Sequence, residues 1–173
     1  NFISLTHYSE NILLASNCEI KICDFGMARG INMKDPHMST NYVQTRWYRA
    51  PEMLLDHDSV TKEVDVWSIG CVFAEMLGRK VLFPGKSPAD QVELIVKVLG
   101  TPSSKNLKGS ANGIRFLKSL MTYPGKNLNE LLPGSNPDGI DLLQKMLTWD
   151  PDDRISAFDA MRHPYFKSRK EAD

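Results

Sequence analysis

Residues 64–77 read VDVWSIGCVFAEML. The run is apolar on nearly every helical face. A helix that is apolar on nearly every side belongs inside a protein, not on its surface. This segment is therefore the expected central buried helix, and Trp67 reads as core. Gly78 lies where a stop is expected.

Downstream, the pattern stays helical. Ser87-Pro88-Ala89-Asp90 is a capping box with proline at the first helical position, opening a helix through Leu99. Gly100-Thr101-Pro102 ends it. Residues 103–137 are rich in Gly, Asn, Ser and Pro, with a helical turn or two around Ile114 to Met121. Asn136-Pro137 caps a helix through Leu147. Ser156-Ala157-Phe158-Asp159 is a second capping box, and its helix is expected to reach about His163, read as a helix-terminus residue. Upstream, residues 24–60 show no helical period before Pro51, and a loop of that length in a compact domain usually serves function. Before it, ENILLASNCEIKIC (residues 10–23) holds two short apolar runs separated by Asn17, a turn residue. Ile20 and Ile22 alternate with Lys21 and Cys23, as on a half-buried strand. The expected fold is mainly α with a small β-hairpin.

Composition narrows the function classes. Of 173 residues, 42% are hydrophobic and 24% charged, as in an ordinary globular domain. Lysine plus arginine and aspartate plus glutamate both number 21, so no basic footprint argues for nucleic acid or a membrane surface. Cys18, Cys23 and Cys71 lack metal-ligand spacing and read as reduced thiols of a cytoplasmic or nuclear protein. No apolar run approaches the roughly 18 residues of a membrane span.

Asp24-Phe25-Gly26 follows the second apolar run. A carboxylate at a strand end reaches a divalent metal, Phe packs inward and Gly permits an unusual turn. Ala50-Pro51-Glu52 follows, and Asn11 precedes. RWYRAPE (46–52), DVWSIGC (65–71) and DPDDRISAFDAMRHPYF (150–166) complete an ordered set. Together these motifs resemble the C-terminal lobe of eukaryotic protein kinases over about residues 9–167. Within that group the chain is most similar to the mitogen-activated protein (MAP) kinases. Thr40-Asn41-Tyr42 is a T-x-Y pair ahead of TRWYRAPE, Arg46 stands where cyclin-dependent kinases usually carry Leu, and the stretch before DLLQKMLTWDP is long. Related ciliary and germ-cell kinases also carry T-x-Y loops.

The resemblance implies a division of the chain. Residues 1–23 would be the remnant of a catalytic loop plus the hairpin, and 24–52 the activation segment. Residues 53–167 would be the helical lobe with an insert at about 103–137, and 168–173 a tail. It also implies roles. Asp24 and Asn11 would hold Mg²⁺ against the phosphates of ATP. Thr40 and Tyr42 would be phosphorylated by an upstream dual-specificity kinase, with Arg29, Arg46 and Arg49 receiving the phosphates. Glu52 and Arg154 would form a buried ion pair anchoring the end of the loop. Asp65 would accept backbone N–H bonds from the catalytic loop. The implied activity is phosphoryl transfer to Ser or Thr of protein substrates, before Pro, because TRWYR builds the family's proline-accepting pocket.

The sequence departs from the kinase pattern at one decisive place. The catalytic aspartate stands five residues before the metal-binding asparagine, which here is Thr6. Leu5 holds the place of the neighbouring arginine. Residues 1–9 contain no aspartate. An unactivated hydroxyl holds its proton too tightly to act as a base near neutral pH. Nor do residues 1–173 contain the Gly-rich loop, the strand lysine or the helix glutamate of the N-lobe. The chain alone is thus expected to hold Mg²⁺ and ATP weakly and to be inactive, as a fragment or a mis-joined exon would be. A second expectation is a binding module, a pseudokinase-like decoy for an upstream kinase. A third is a chain whose uncovered hairpin and central helix make it aggregation-prone.

Overall fold

The computed structural model describes residues 2–3, 11–25, 29–30, 46–56, 61–103 and 109–167. The fold is mostly helical, with small antiparallel sheets. Strand β2 (Ile12–Leu14) pairs with β3 (Ile20–Ile22) in the register Ile12↔Ile22, Leu13↔Lys21, Leu14↔Ile20. Two residues of β1 (Phe2–Ile3) pair with β4 (Arg29–Gly30). The hairpin turn forms at Asn17 as expected: its Oδ1 accepts from the Glu19 N–H at 3.1 Å, and Cys18 takes the left-handed conformation.

The helices are α1 (Pro51–Leu55), α2 (Glu63–Gly78), α3 (Pro88–Leu99), α4 (Ala111–Ser119), α5 (Leu128–Leu131), α6 (Pro137–Met146), α7 (Ala157–Ala160) and α8 (Pro164–Lys167). The central helix is α2. Its Val64, Trp67, Cys71, Val72 and Ala74 enter the main core, where they join Phe83, Ile95, Leu128, Ile140 and Leu143. The Trp67 and Phe83 rings stack at 6.0 Å between centroids. Each large side chain so buried contributes on the order of 1.5–3 kcal/mol. Burial also pushes the Cys71 thiol far above its usual range, which makes it an inert packing group. All three cysteines are free thiols.

The caps are made by the expected residues. Ser87 Oγ accepts from the Asp90 N–H at 3.1 Å, and Asn136 Oδ1 accepts from Asp138 and Gly139. Ser156 Oγ accepts from Asp159 at 3.1 Å.

Four expectations are corrected. First, β3 is not half-buried: Ile20 is 63% and Ile22 49% exposed, because no described element covers these side chains. Second, α2 stops at Gly78 as expected, but the glycine is not the cap. It is the last helical residue, and Arg79 takes the left-handed cap at φ 56°. Gly78 is there for proximity: a Cβ on it would stand 2.7 Å from Leu132 Cδ2, just past α5. Third, the helix opened by Ser156 ends at Ala160, and α8 is separate. His163 lies between them, buried, with Nε2 2.8 Å from Asp141 Oδ2 on α6. Its Nδ1 accepts from the Tyr165 N–H at 3.3 Å, and its Nε2 faces both Asp141 and, at 3.3 Å, Lys145 Nζ. Fourth, the Gly- and Asn-rich stretch contains α5 as well as the anticipated α4.

Candidate functional site

Asn11 and Asp24 flank the hairpin. The Asn11 carbonyl accepts from the Cys23 N–H at 2.9 Å, which continues the β2–β3 ladder by one step. Asn11 therefore lies opposite the residue just before Asp24. Asn11 is buried, whereas Asp24 is exposed. The chain leaves β3 through Asp24 in the left-handed conformation, φ 58°. Aspartate is among the few residues that adopt it at low cost. Phe25 does not pack inward as expected. It is 60% exposed, since the turn at Asp24 carries it off the strand and no described element stands over its ring.

The donor set tests the implied metal. Both side chains offer hard oxygen, which suits Mg²⁺. Among the described residues no group of three His, Cys, Asp or Glu side chains gathers to hold an ion.

At the other end of the loop the geometry is tight. Arg154 is fully buried and grips Glu52 on α1 through two bonds, Nη1–Oε1 at 2.7 Å and Nη2–Oε2 at 3.0 Å. Its remaining donors reach the carbonyls of Glu63, Thr148 and Trp149, at 2.8, 3.1 and 3.4 Å. Its guanidinium lies 5.1 Å from the centre of the Trp67 ring. A buried ion pair is tolerable when the spare donors are satisfied in this way. It ties α1 to the first turn of α2 and to the loop after α6. Asp65 is half-buried in that first turn.

Arg46 opens a 3₁₀ turn, Arg46–Tyr48, and its Nη1 donates to the Lys86 carbonyl at 3.3 Å. Arg49 is half-buried and closes the turn with its N–H on the Arg46 carbonyl at 3.1 Å. Two residues that the sequence reading did not single out hold this turn from α2. Ser68 Oγ donates to the Tyr48 carbonyl at 3.0 Å, and the Tyr48 hydroxyl donates to Glu75 at 2.6 Å. The available signal was a polar residue at each of two positions in an otherwise apolar helix. Of Arg29 the backbone alone is described, paired with Ile3. Thr6, Thr40 and Tyr42 lie outside the described residues.

Two clefts lie elsewhere. One runs between Gly100, Pro124 and Trp149, the other beside Met76, Arg79 and Gly134. Neither is lined by a residue of the candidate site. Among the described residues no helix is long and apolar enough to cross a membrane.

Comparison with known proteins closes the question of family. A family model described as protein kinase domain matches residues 8–166. The chain belongs to the protein kinase family. It is 50% identical over 157 residues to Mitogen-activated protein kinase 2 of Arabidopsis thaliana, covering 90% of this chain and 42% of that protein. It is 52% identical, with the same coverage, to Mitogen-activated protein kinase 3 of Oryza sativa subsp. japonica. Extracellular signal-regulated kinase 1 of Dictyostelium discoideum is 44% identical over 160 residues, covering 91% of this chain and 30% of that protein. Within the kinases the chain is thus of MAP kinase type. It spans about two fifths of the length of the first two relatives.

Proposed function

We propose that these residues are the C-lobe of a MAP-kinase-type Ser/Thr kinase, with the activation segment at 24–52 and the helical lobe at 53–167. The whole protein's reaction would be transfer of the ATP γ-phosphoryl to Ser or Thr before Pro, in protein substrates of the cytoplasm or nucleus. The observation that carries this reading is the Asn11–Cys23 backbone pair. It brings the Asn11 backbone opposite the residue before Asp24, which supports reading the two as ligands of one ion. Mg²⁺, when bound, would neutralise phosphate charge there. Asp24 would supply a carboxylate to that ion and Asn11 an amide oxygen. Glu52 and Arg154 would hold the far end of the activation segment still while Thr40 and Tyr42 are phosphorylated. Arg29, Arg46 and Arg49 would offer the phosphates cationic partners.

The chain alone is proposed not to run the reaction. Thr6 stands where a carboxylate must take the substrate hydroxyl's proton, and general-base catalysis is worth about 10²- to 10⁴-fold. The test is ³²P transfer from ATP to a Ser-Pro peptide by the pure chain. No incorporation is expected. Incorporation that disappears in Asp24→Ala would overturn the claim of inactivity.

Thr6 also favours a second reading, a decoy that engages an upstream dual-specificity kinase through its T-x-Y loop. Capture of such a kinase by the pure chain without Mg·ATP binding supports the decoy. ATP binding without capture counts against it.

A further inference from the structure

Gln91 is a primary amide with no solvent exposure, one turn into α3. Both of its ends are paired. Oε1 accepts from the Gly85 N–H at 3.0 Å, and Nε2 donates to the Trp47 carbonyl at 3.3 Å. The bridge is reciprocated, since Trp47 Nε1 donates to the Gly85 carbonyl at 3.0 Å. One residue along on each segment, Arg46 Nη1 donates to the Lys86 carbonyl. The 46–48 turn is thus stitched to the loop before α3 on one side and to Ser68 and Glu75 of α2 on the other.

The sequence explains how Gln91 gets there. Ser87 caps α3, so Gln91 is the fourth helical residue, and helical side chains lean toward the N-terminus. Its amide therefore reaches back past the cap to residue 85. A Cβ at position 85 would stand 2.7 Å from the Gln91 Cα, so only glycine allows the approach. Burying an amide is costly unless its hydrogen bonds are replaced. A Leu or Met would fill the same volume without that cost. The amide is explained by its two bonds and by what they hold.

We propose that Gln91 is a positioning residue, which couples α3 to the 46–48 turn and sets that turn's preference for proline after the phosphoacceptor. The specificity part rests on the reading, under Proposed function, that residue 46–48 chemistry serves Ser-Pro and Thr-Pro sites. Gln91 touches no reacting atom; it acts through Trp47.

The test uses the full chain as wild type, Gln91→Met and Gln91→Glu. Met keeps the volume and loses both bonds. Glu keeps an oxygen for the Gly85 N–H and loses the donor to Trp47. Two quantities are read: hydrogen exchange at the Trp47 indole N–H against that at Trp67, and binding of a Ser-Pro peptide against its Ser-Ala counterpart. In Gln91→Met the Trp47 indole should exchange about tenfold faster with Trp67 unchanged, as loss of one or two hydrogen bonds in a local opening predicts. The Ser-Pro preference should fall several-fold, and at least as far in Gln91→Glu, whose buried carboxylate faces the Trp47 carbonyl. A purely structural amide would speed both indoles together and leave the peptide preference alone. That result, or no change at Trp47, overturns the proposal. If wild type shows no Ser-Pro preference while Gln91→Met still frees Trp47 selectively, the proline reading fails and Gln91 stands as the residue that positions the turn.

Discussion

The hairpin and the helical body use the same kind of apolar run to opposite ends. In the body, Trp67, Phe83, Ile95 and Leu143 have no solvent exposure. In the hairpin, Leu13, Leu14, Ile20 and Ile22 are all exposed. Among the described residues the hairpin's first step is anchored, by the buried Asn11 and by Ile12 packing against the main core. Folding energy is thus concentrated in the body. The two candidate metal ligands ride on a ribbon that adds little to it. Glu52, at the end of the proposed activation segment, is by contrast bolted into the body by Arg154.

That contrast predicts a ranking of mutational effects. Arg154→Ala leaves the Glu52 carboxylate buried without its partner, a loss of about 3–5 kcal/mol. Urea unfolding of the two proteins should show it, and a loss below about 1 kcal/mol would mean that the pair is not an anchor. Next, Leu143→Ala opens a cavity in a fully buried site and should cost about 2–5 kcal/mol. Leu14→Ala on the hairpin should stay within about 0.5 kcal/mol of wild type. Equal costs at the two positions would break the comparison, because they would show that the ribbon is buried in solution.

The same contrast marks what could be read from the sequence. The helices were legible because their signals are local. Ser87, Asn136 and Ser156 each cap the helix they announce, and the 64–77 run could only be buried. The candidate metal pair comes from motif order, and its role as a ligand pair stays a proposal. The exposure of Ile20 and Ile22 was not, since alternation tells which residues share a face and not whether anything covers it. Gly78 marks the helix end correctly but does not form the cap. A glycine after an apolar run signals a cap, but this one makes room for Leu132, and that neighbour is 54 residues away. The Gln91 bridge spans 44 residues to Trp47. Its sequence trace, a polar residue on the inner face of a capped helix, does not name the partner.

Smaller effects sharpen the picture within the body. Asn136→Ala removes an oxygen that accepts from two N–H groups at the start of α6. A loss of about 1 kcal/mol is expected in thermal or urea unfolding. A change near zero would mean that α6 is held by its buried face alone, through Ile140 and Leu143.

The smallest expected effect separates α6's surface from its core, and it depends on pH. The Lys145 ammonium, 2.6 Å from Asp141, holds that carboxyl below its usual range, with the His163 ring adding to the effect. A folded-state value below the unfolded one means that the stabilisation is fully present above the unfolded value of about 3.9. It is lost as pH falls through the lower folded value. Asp141 is half exposed, so solvent screens the interaction and salt should weaken it further. The difference in melting temperature between wild type and Asp141→Asn should therefore be smaller at about pH 3 than at about pH 5. A difference that widens on acidification would reverse the sign. It would mean that the carboxyl is strained by its surroundings rather than held by Lys145, and that the α6–α8 contact rests on His163 packing instead.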